Sequence, residues 1–211
     1  MVSGRAGFDA DARPLATGFW RIAPDGAVTP VHARAESLRP SRTCGAAFAQ
    51  TTSAPKRFSL GADGRILFAG PGSIQAVTST GTVSALAGAA GDCTYQGKVG
   101  SGDGPAAAAG FNEADRPVED PDGNLWVSDQ KGCALRRISK EGQVTTVLGP
   151  DVVCNERVTP EDRPLLGNLE WDAAHGELVS AGAFTVARPV HDLYTLVWRI
   201  KPDGTYRRVL F

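Results

Sequence analysis

Four times along the chain an apolar run, a glycine-containing turn and a second apolar run follow one another in the same order. The copies begin at Phe19-Trp20-Arg21-Ile22, Ile74-Gln75-Ala76-Val77, Leu135-Arg136-Arg137-Ile138 and Val197-Trp198-Arg199-Ile200. Their turn glycines, 26, 81, 142 and 204, are spaced 55, 61 and 62 residues apart. The apolar positions superimpose as columns: Phe19, Ile74, Leu135 and Val197; Ile22, Val77, Ile138 and Ile200; then Val28, Val83, Val144 and Tyr206; then Val31, Leu86, Val147 and Val209. A repeat of this length is one supersecondary unit that cannot bury its own faces, so the copies must stack on one another. Within the outer strands the column spacing is three, where strict alternation gives two or four, so each is expected to carry a twist or bulge.

The most complete copy runs from Phe111 to Gly149. It holds four short apolar runs separated by three turn signals and reads as a four-stranded β-meander. An inner segment at Pro117–Glu119 enters the turn Asp120-Pro121-Asp122-Gly123-Asn124, whose residues pre-set φ or tolerate positive φ. Leu125-Trp126-Val127-Ser128 has strand composition. Ala134–Ile138 and Gln143–Val147 follow as a hairpin around Ser139-Lys140-Glu141-Gly142.

The order Phe111-Asn112, Pro117, Asp122-Gly123-Asn124-Leu125-Trp126-Val127-Ser128-Asp129, Leu135-Arg136-Arg137-Ile138, Gly142-Gln143-Val144-Thr145-Thr146-Val147-Leu148-Gly149 resembles an NHL repeat, the blade unit of one class of β-propellers. The second and fourth copies keep the turn and outer-strand pattern but lose the positions of Asn112 and Asp129; Gly70 and Gly182 stand where Asp129 stands. The resemblance covers most of the chain as architecture and one blade as motif. The expected fold is therefore an all-β propeller segment of four-stranded antiparallel blades, part of a six-bladed ring. Within this single domain, 1–33 is a partial blade and 56–87, 111–149 and 165–211 are blades.

Residue 1 falls in the second strand of a blade, because Met1-Val2-Ser3 and the loop to Phe19 mirror Leu178-Val179-Ser180 and the loop to Val197. The chain begins mid-fold, with no signal peptide in this chain. No apolar run approaches the ~18 residues a membrane helix needs, so no membrane insertion is expected. Blade faces left open by three and a half blades imply self-association, or completion by further blades. Net charge is −1, from 22 basic and 23 acidic side chains. No general field attracts nucleic acid, and an RNA-binding role, known for some NHL propellers, is disfavoured.

Between the repeats lie connectors: 32–55, the Gly/Ala-rich 87–110 and 150–164, with a further long loop from Ala181 to Asp192 inside the last blade. The glycines of 87–110 suit a loop and argue against a buried strand. That stretch lacks the GxxxxGK[ST] order of a phosphate loop. In a propeller blade the loop between second and third strands opens on the same face as the connector to the next blade. The other two turns lie opposite, and here they are short: Pro24-Asp25-Gly26, Asp63-Gly64, Asp122-Gly123 and Pro202-Asp203-Gly204. Recognition is expected on the long-loop face. All four cysteines fall there as well: Cys44, Cys93 and Cys154 in connectors and Cys133 in the loop of the third blade. Such a distribution suits surface disulfides, with Cys133 paired to Cys93 or Cys154, and favours an extracytoplasmic location. No CxxC spacing supports zinc.

Signals for catalysis are sparse. His32, His175 and His191 are far apart in the repeat, and neither a GxSxG elbow nor an HExxH motif occurs. His175, in a short turn, reads as a solvated side chain. Calcium-dependent lactonases use propellers of similar outline, and that resemblance implies oxygen ligands near the starts of inner strands: Asn112, Glu113, Glu119, Asn168 and Glu170, with Asn112, Glu119 and Glu170 the metal candidates and Ca²⁺ the cofactor. Asn112, Glu113, Arg116 and Asp129 are the candidate ligand contacts. Asp129, just after a strand, also has the position of a hydrogen-bonded loop cap. Trp20 and Trp198 share one repeat position and read as packing between blades, and Arg21, Arg137 and Arg199 as blade-edge structure. The expected role is a non-catalytic scaffold binding a protein or small-molecule ligand through its long-loop face. The rival is a metal-dependent hydrolase of the gluconolactonase-like type.

Overall fold

A computed structural model describes residues 2–5, 17–30, 57–70, 72–78, 83–88, 102–186 and 192–209. Each repeat forms its own antiparallel sheet. The first contains β1 (Val2–Arg5), β2 (Thr17–Ile22) and β3 (Val28–Pro30). The second contains β4 (Phe58–Leu60), β5 (Ile66–Gly70), β6 (Ser73–Val77) and β7 (Val83–Ala87). A short strand, β8 (Gly104–Pro105), precedes the third repeat, which supplies β9 (Val118–Glu119), β10 (Leu125–Asp129), β11 (Ala134–Ile138) and β12 (Gln143–Leu148). After a single helical turn, α1 (Pro150–Val153), come β13 (Asn168–Asp172), β14 (Glu177–Val186), β15 (Asp192–Ile200) and β16 (Tyr206–Val209).

Strands within each sheet pair in meander order. The first strands of the last three sheets, β4, β9 and β13, lie beside one another in turn. Sheets that meet at their first strands and stack on their faces make a β-propeller, with β4, β9 and β13 innermost. The columns of the sequence are its ladder positions. Ile66, Leu125 and Leu178 oppose Val77, Ile138 and Ile200, which in turn oppose Val83, Val144 and Tyr206.

Period-two alternation then sorts the third sheet's side chains between its neighbours. Leu125 and Val127 pack with Leu67, Ile74 and Ala76 of the second sheet. Trp126, between them, points the other way and packs with Leu169, Leu178 and Trp198 of the fourth. Trp126 stacks on Trp171 at 6.3 Å and donates its indole N–H to Asp120 Oδ2 at 2.9 Å. Asp120 also accepts from the backbone and side-chain amide of Asn124, so the turn is tied to the inter-blade core. The turn closes with Gly123 at φ 84°, a conformation that a Cβ would strain.

Three expectations need correction. Bulges interrupt β6–β7 at Ile74/Gln75 and β11–β12 at Leu135/Arg136, leaving Leu86 and Val147 as the extra residues, but β15–β16 runs without a shift to Val197↔Val209. The Gly/Ala-rich connector is not loop throughout, since β8 adds a fifth strand on the outer edge of the third sheet. Its small residues allow that close approach: Ala106 and Ala109 are buried in the core between the second and third sheets. Finally, the long loop of the last blade is largely strand. β14 and β15 stay paired from Leu178↔Ile200 out to Val186↔Asp192, because the alternating Ala183-Phe184-Thr185-Val186 and Leu193-Tyr194-Thr195-Leu196 runs favour a ribbon.

Candidate functional site

The inner-strand entrances define the site. With Ile66, Leu125 and Leu178 as equivalent anchors, Phe58 opposite Phe68, Val118 opposite Trp126 and Asn168 opposite Ala181 fix the inner strands to one frame. In that frame Arg57, Arg116 and Asn168 occupy one repeat position, at the start of the inner strand on the long-loop face. They line, with Phe58 and Glu170, an open cleft of about 460 Å³. Small-molecule sites commonly have volumes of ~300–1,000 Å³.

Each arginine reaches forward to the next blade. Arg57 pairs with Asp115 at 2.5 Å, and Arg116 pairs with Glu170 at 2.5 Å while also donating to the Leu169 carbonyl. The carbonyl equivalent to that of Leu169 is that of Pro117, and it accepts from the Ser59 hydroxyl of the preceding blade. The same backbone acceptor thus joins successive inner strands, with a different donor at each joint. Asp115 is steadied by Gln130 at 3.3 Å, whereas Glu170 is largely exposed.

Behind the entrance, Asp129 ties the loop after β10 to the incoming chain. Its carboxylate accepts from the Asn112 N–H at 2.8 and 3.0 Å and from the Gly132 N–H at 3.2 Å. A Cβ on Gly132 would lie 2.5 Å from that carboxylate, so glycine is required there. Burial pushes the Asp129 carboxyl above its ordinary value, opposed by those two N–H bonds and by Arg136. At the equivalent position of the last blade a Cβ on Gly182 would meet Leu165 Cβ at 2.4 Å. The motif's loss there makes room for packing.

A disulfide between Cys133 and Cys154 joins the same loop to the connector after α1. Cys44 and Cys93 lie outside the described residues, as do His32 and His191. Glu113 pairs with Lys131 at 2.8 Å on the surface. Asn112, Glu119 and Glu170 have different partners: the Asn112 N–H donates to Asp129, and Glu170 accepts from Arg116. Glu119 lies beside the short turn at the far end of its strand, bound to Arg65 at 2.7 Å and to the Ala62 N–H at 2.8 Å. Among the described residues no three His, Cys, Asp or Glu side chains group as a metal centre.

The short-turn face is chemically different. In the last blade Glu177, buried, binds both Arg207 and Arg199, and Arg199 also binds Asp172, which holds His175 at 2.8 Å. Hydrogen bonds from Arg207 and then Arg199 lower the Glu177 carboxyl to about 2; Arg199 and then His175 do the same for Asp172. His175 is therefore a partner of Asp172 rather than merely solvated. Arg137 is bonded to Asn124 at 2.9 Å and lies over the Trp126 ring.

Sequence reading missed Arg57, Phe58 and Asp115 at the entrance, and Arg136, whose buried guanidinium binds Asp103 at 2.8 Å and covers Phe111. Superimposing the inner strands as well as the outer hairpins would have found Arg57 beside Arg116.

No protein-family model and no curated protein sequence matches the chain. Similar solved structures include a protein of unknown function from Bacteroides thetaiotaomicron VPI-5482, 22% identical with a TM-score of 0.54, over 77% of this chain and 38% of that one. Virginiamycin B lyase from Staphylococcus aureus is 16% identical with a TM-score of 0.47, over 90% and 47% respectively. An auxiliary nutrient binding protein, also from Bacteroides thetaiotaomicron VPI-5482, is 13% identical with a TM-score of 0.48, over 76% and 39%. This chain spans less than half the length of each. At such identities the likeness speaks for the fold alone.

Proposed function

We propose that this chain is a non-catalytic propeller scaffold that binds a protein or small-molecule ligand on its long-loop face, at the cleft where the inner strands begin. The observation that carries this reading is the convergence of Arg57 and Phe58, Arg116, and Asn168 and Glu170, from three successive sheets, on one open cleft. Its polar groups are suited to holding and orienting a ligand. The anchoring of its rim by Asp129 and by the Cys133–Cys154 bridge favours a preformed site. The bridge also supports an extracytoplasmic location. Among the described residues no helix is long and apolar enough to cross a membrane.

The sheets are proposed to be blades of a single domain, with 56–87, 111–149 and 165–211 as blades and 1–33 as a partial one, belonging to a six-bladed ring. Ile22, Val28 and Leu60 are exposed apolar side chains, and self-association through open blade faces remains part of this proposal. The competing reading is a Ca²⁺-dependent hydrolase using Asn112, Glu119 and Glu170. Glu119 and Glu170 stand one register position apart, on opposite faces of their strands, and pair with different arginines, Arg65 and Arg116, which speaks against it.

The test is a panel of small molecules and peptides screened by thermal shift, with hits remeasured on Arg116→Gln. Hits weakened by that substitution are expected. Hits indifferent to it would overturn the cleft, and Ca²⁺-dependent hydrolysis of a lactone would favour the competing reading.

A further inference from the structure

The cleft's cations meet partners of one chemical kind. Both of its cations are occupied by carboxylates, and in each case the carboxylate belongs to the next blade: Asp115 for Arg57 and Glu170 for Arg116. A planar guanidinium presents parallel N–H groups that match a carboxylate's two oxygens, which a neutral amide or hydroxyl cannot equal in strength.

The two pairs are not equally held. Asp115 has 17% of its side chain exposed and accepts further bonds from the Gln130 amide and the Arg116 N–H. Glu170 has 65% of its side chain exposed and accepts from the Arg116 side chain. Arg116, by contrast, is 20% exposed and fixed by its bond to the Leu169 carbonyl. The cation is therefore positioned by the fold while its counter-ion is a solvated side chain. Ion pairs with an exposed partner contribute little to stability, so Glu170 is readily replaced.

From this asymmetry the geometry points to a small carboxylate-bearing molecule as the ligand of the cleft, its anion taking the place of Glu170 on Arg116 while Phe58 supplies apolar contact. The inference rests on the proposed use of the cleft and adds the class of ligand. Glu170 is the internal competitor of that ligand. It swings into solvent when the ligand binds, and no bond is made or broken covalently. The exchange gives Arg116 one carboxylate in place of another, while Glu170 keeps its charge in solvent.

Benzoate and its neutral isostere benzamide test this with the full chain, by following the guanidinium Nε–H and neighbouring amide resonances during titration. Benzoate is expected to shift the Arg116 guanidinium and neighbouring amide signals saturably, and the amide shifts are expected to report binding about tenfold weaker in Arg116→Gln and several-fold tighter in Glu170→Gln, with benzamide ineffective. Circular dichroism of each variant checks folding, and Glu170→Gln, which removes no partner from the core, keeps the test decisive if Arg116→Gln fails to fold. Absence of a saturable benzoate shift in Glu170→Gln overturns the inference. Equal shifts from benzamide overturn the anion class while leaving the cleft as a ligand site; saturable shifts confined to the short-turn face overturn both readings.

Discussion

The two ends of the blades use the same residue types in opposite ways. On the short-turn end, carboxylates and arginines are interlocked. Glu177 holds two arginines, one of which holds Asp172, and Asp120 binds Asn124 and Trp126 inside the core. At the long-loop end, Arg116 and Glu170 form a single pair with an exposed anion, on a rim held instead by Asp129 and a disulfide. Shared partners make a charge structural. A fixed cation with a solvated counter-ion leaves it available, and the proposed function assigns binding to that end and stability to the other.

The largest expected effect comes from breaking the short-turn end at its centre. Asp120→Ala should cost about 4 kcal/mol in urea denaturation, because the indole N–H of Trp126 and the amide of Asn124 lose a buried acceptor. A loss under about 1 kcal/mol would mean that this turn is not tied to the core.

Next is the covalent lock of the other end. Replacing Cys133 and Cys154 by serine removes a crosslink across 21 residues, for an expected loss of about 3 kcal/mol. Hydrogen exchange should rise mainly in 130–134 and 150–164. A uniform rise across all sheets would contradict the local role.

Acid separates the two ends by sign. Asp172 and Glu177 have folded values near 2, below their ordinary 3.8 and 4.5, so the stability they contribute is present above about pH 4.5 and is lost as pH falls towards 2. Asp129 is shifted upward, so protonation favours the folded state and its contribution grows as pH falls through its raised value towards 3.8. Glu177→Gln should therefore flatten the acid loss, and Asp129→Asn should steepen it. Denaturation midpoints from pH 7 to pH 2 read both, and parallel curves for the two variants would contradict the assignment.

The smallest effect on stability belongs to Glu170→Gln, within about 1 kcal/mol of the parent. If that substitution unfolds the chain, Glu170 is a structural partner and the comparison between the ends fails.

Much of the architecture was legible because the outer hairpins repeat with conserved spacing: Ile22, Val77, Ile138 and Ile200 are a column in the sequence and a row in the ladders. The fifth strand at Gly104–Pro105 was not, since two residues bound at a sheet edge carry no periodicity. The ribbon of β14 and β15 was hidden by the assumption that length between blade strands means loop. The cleft was legible only in part. Arg116, Asn168 and Glu170 stood out by position, but Arg57 follows a long connector, and its equivalence to Arg116 emerges from the strand register. Pairings such as Arg57 with Asp115, 58 residues apart, depend on how blades meet, which no single repeat encodes.

Hydrogen exchange of the whole chain with a screened ligand bound tests the division between the ends most directly. The account expects new protection in 57–59, 112–116 and 168–171, at the entrances of the inner strands. Protection confined to the short turns at 24–26, 63–64, 122–124 and 202–204 would contradict it.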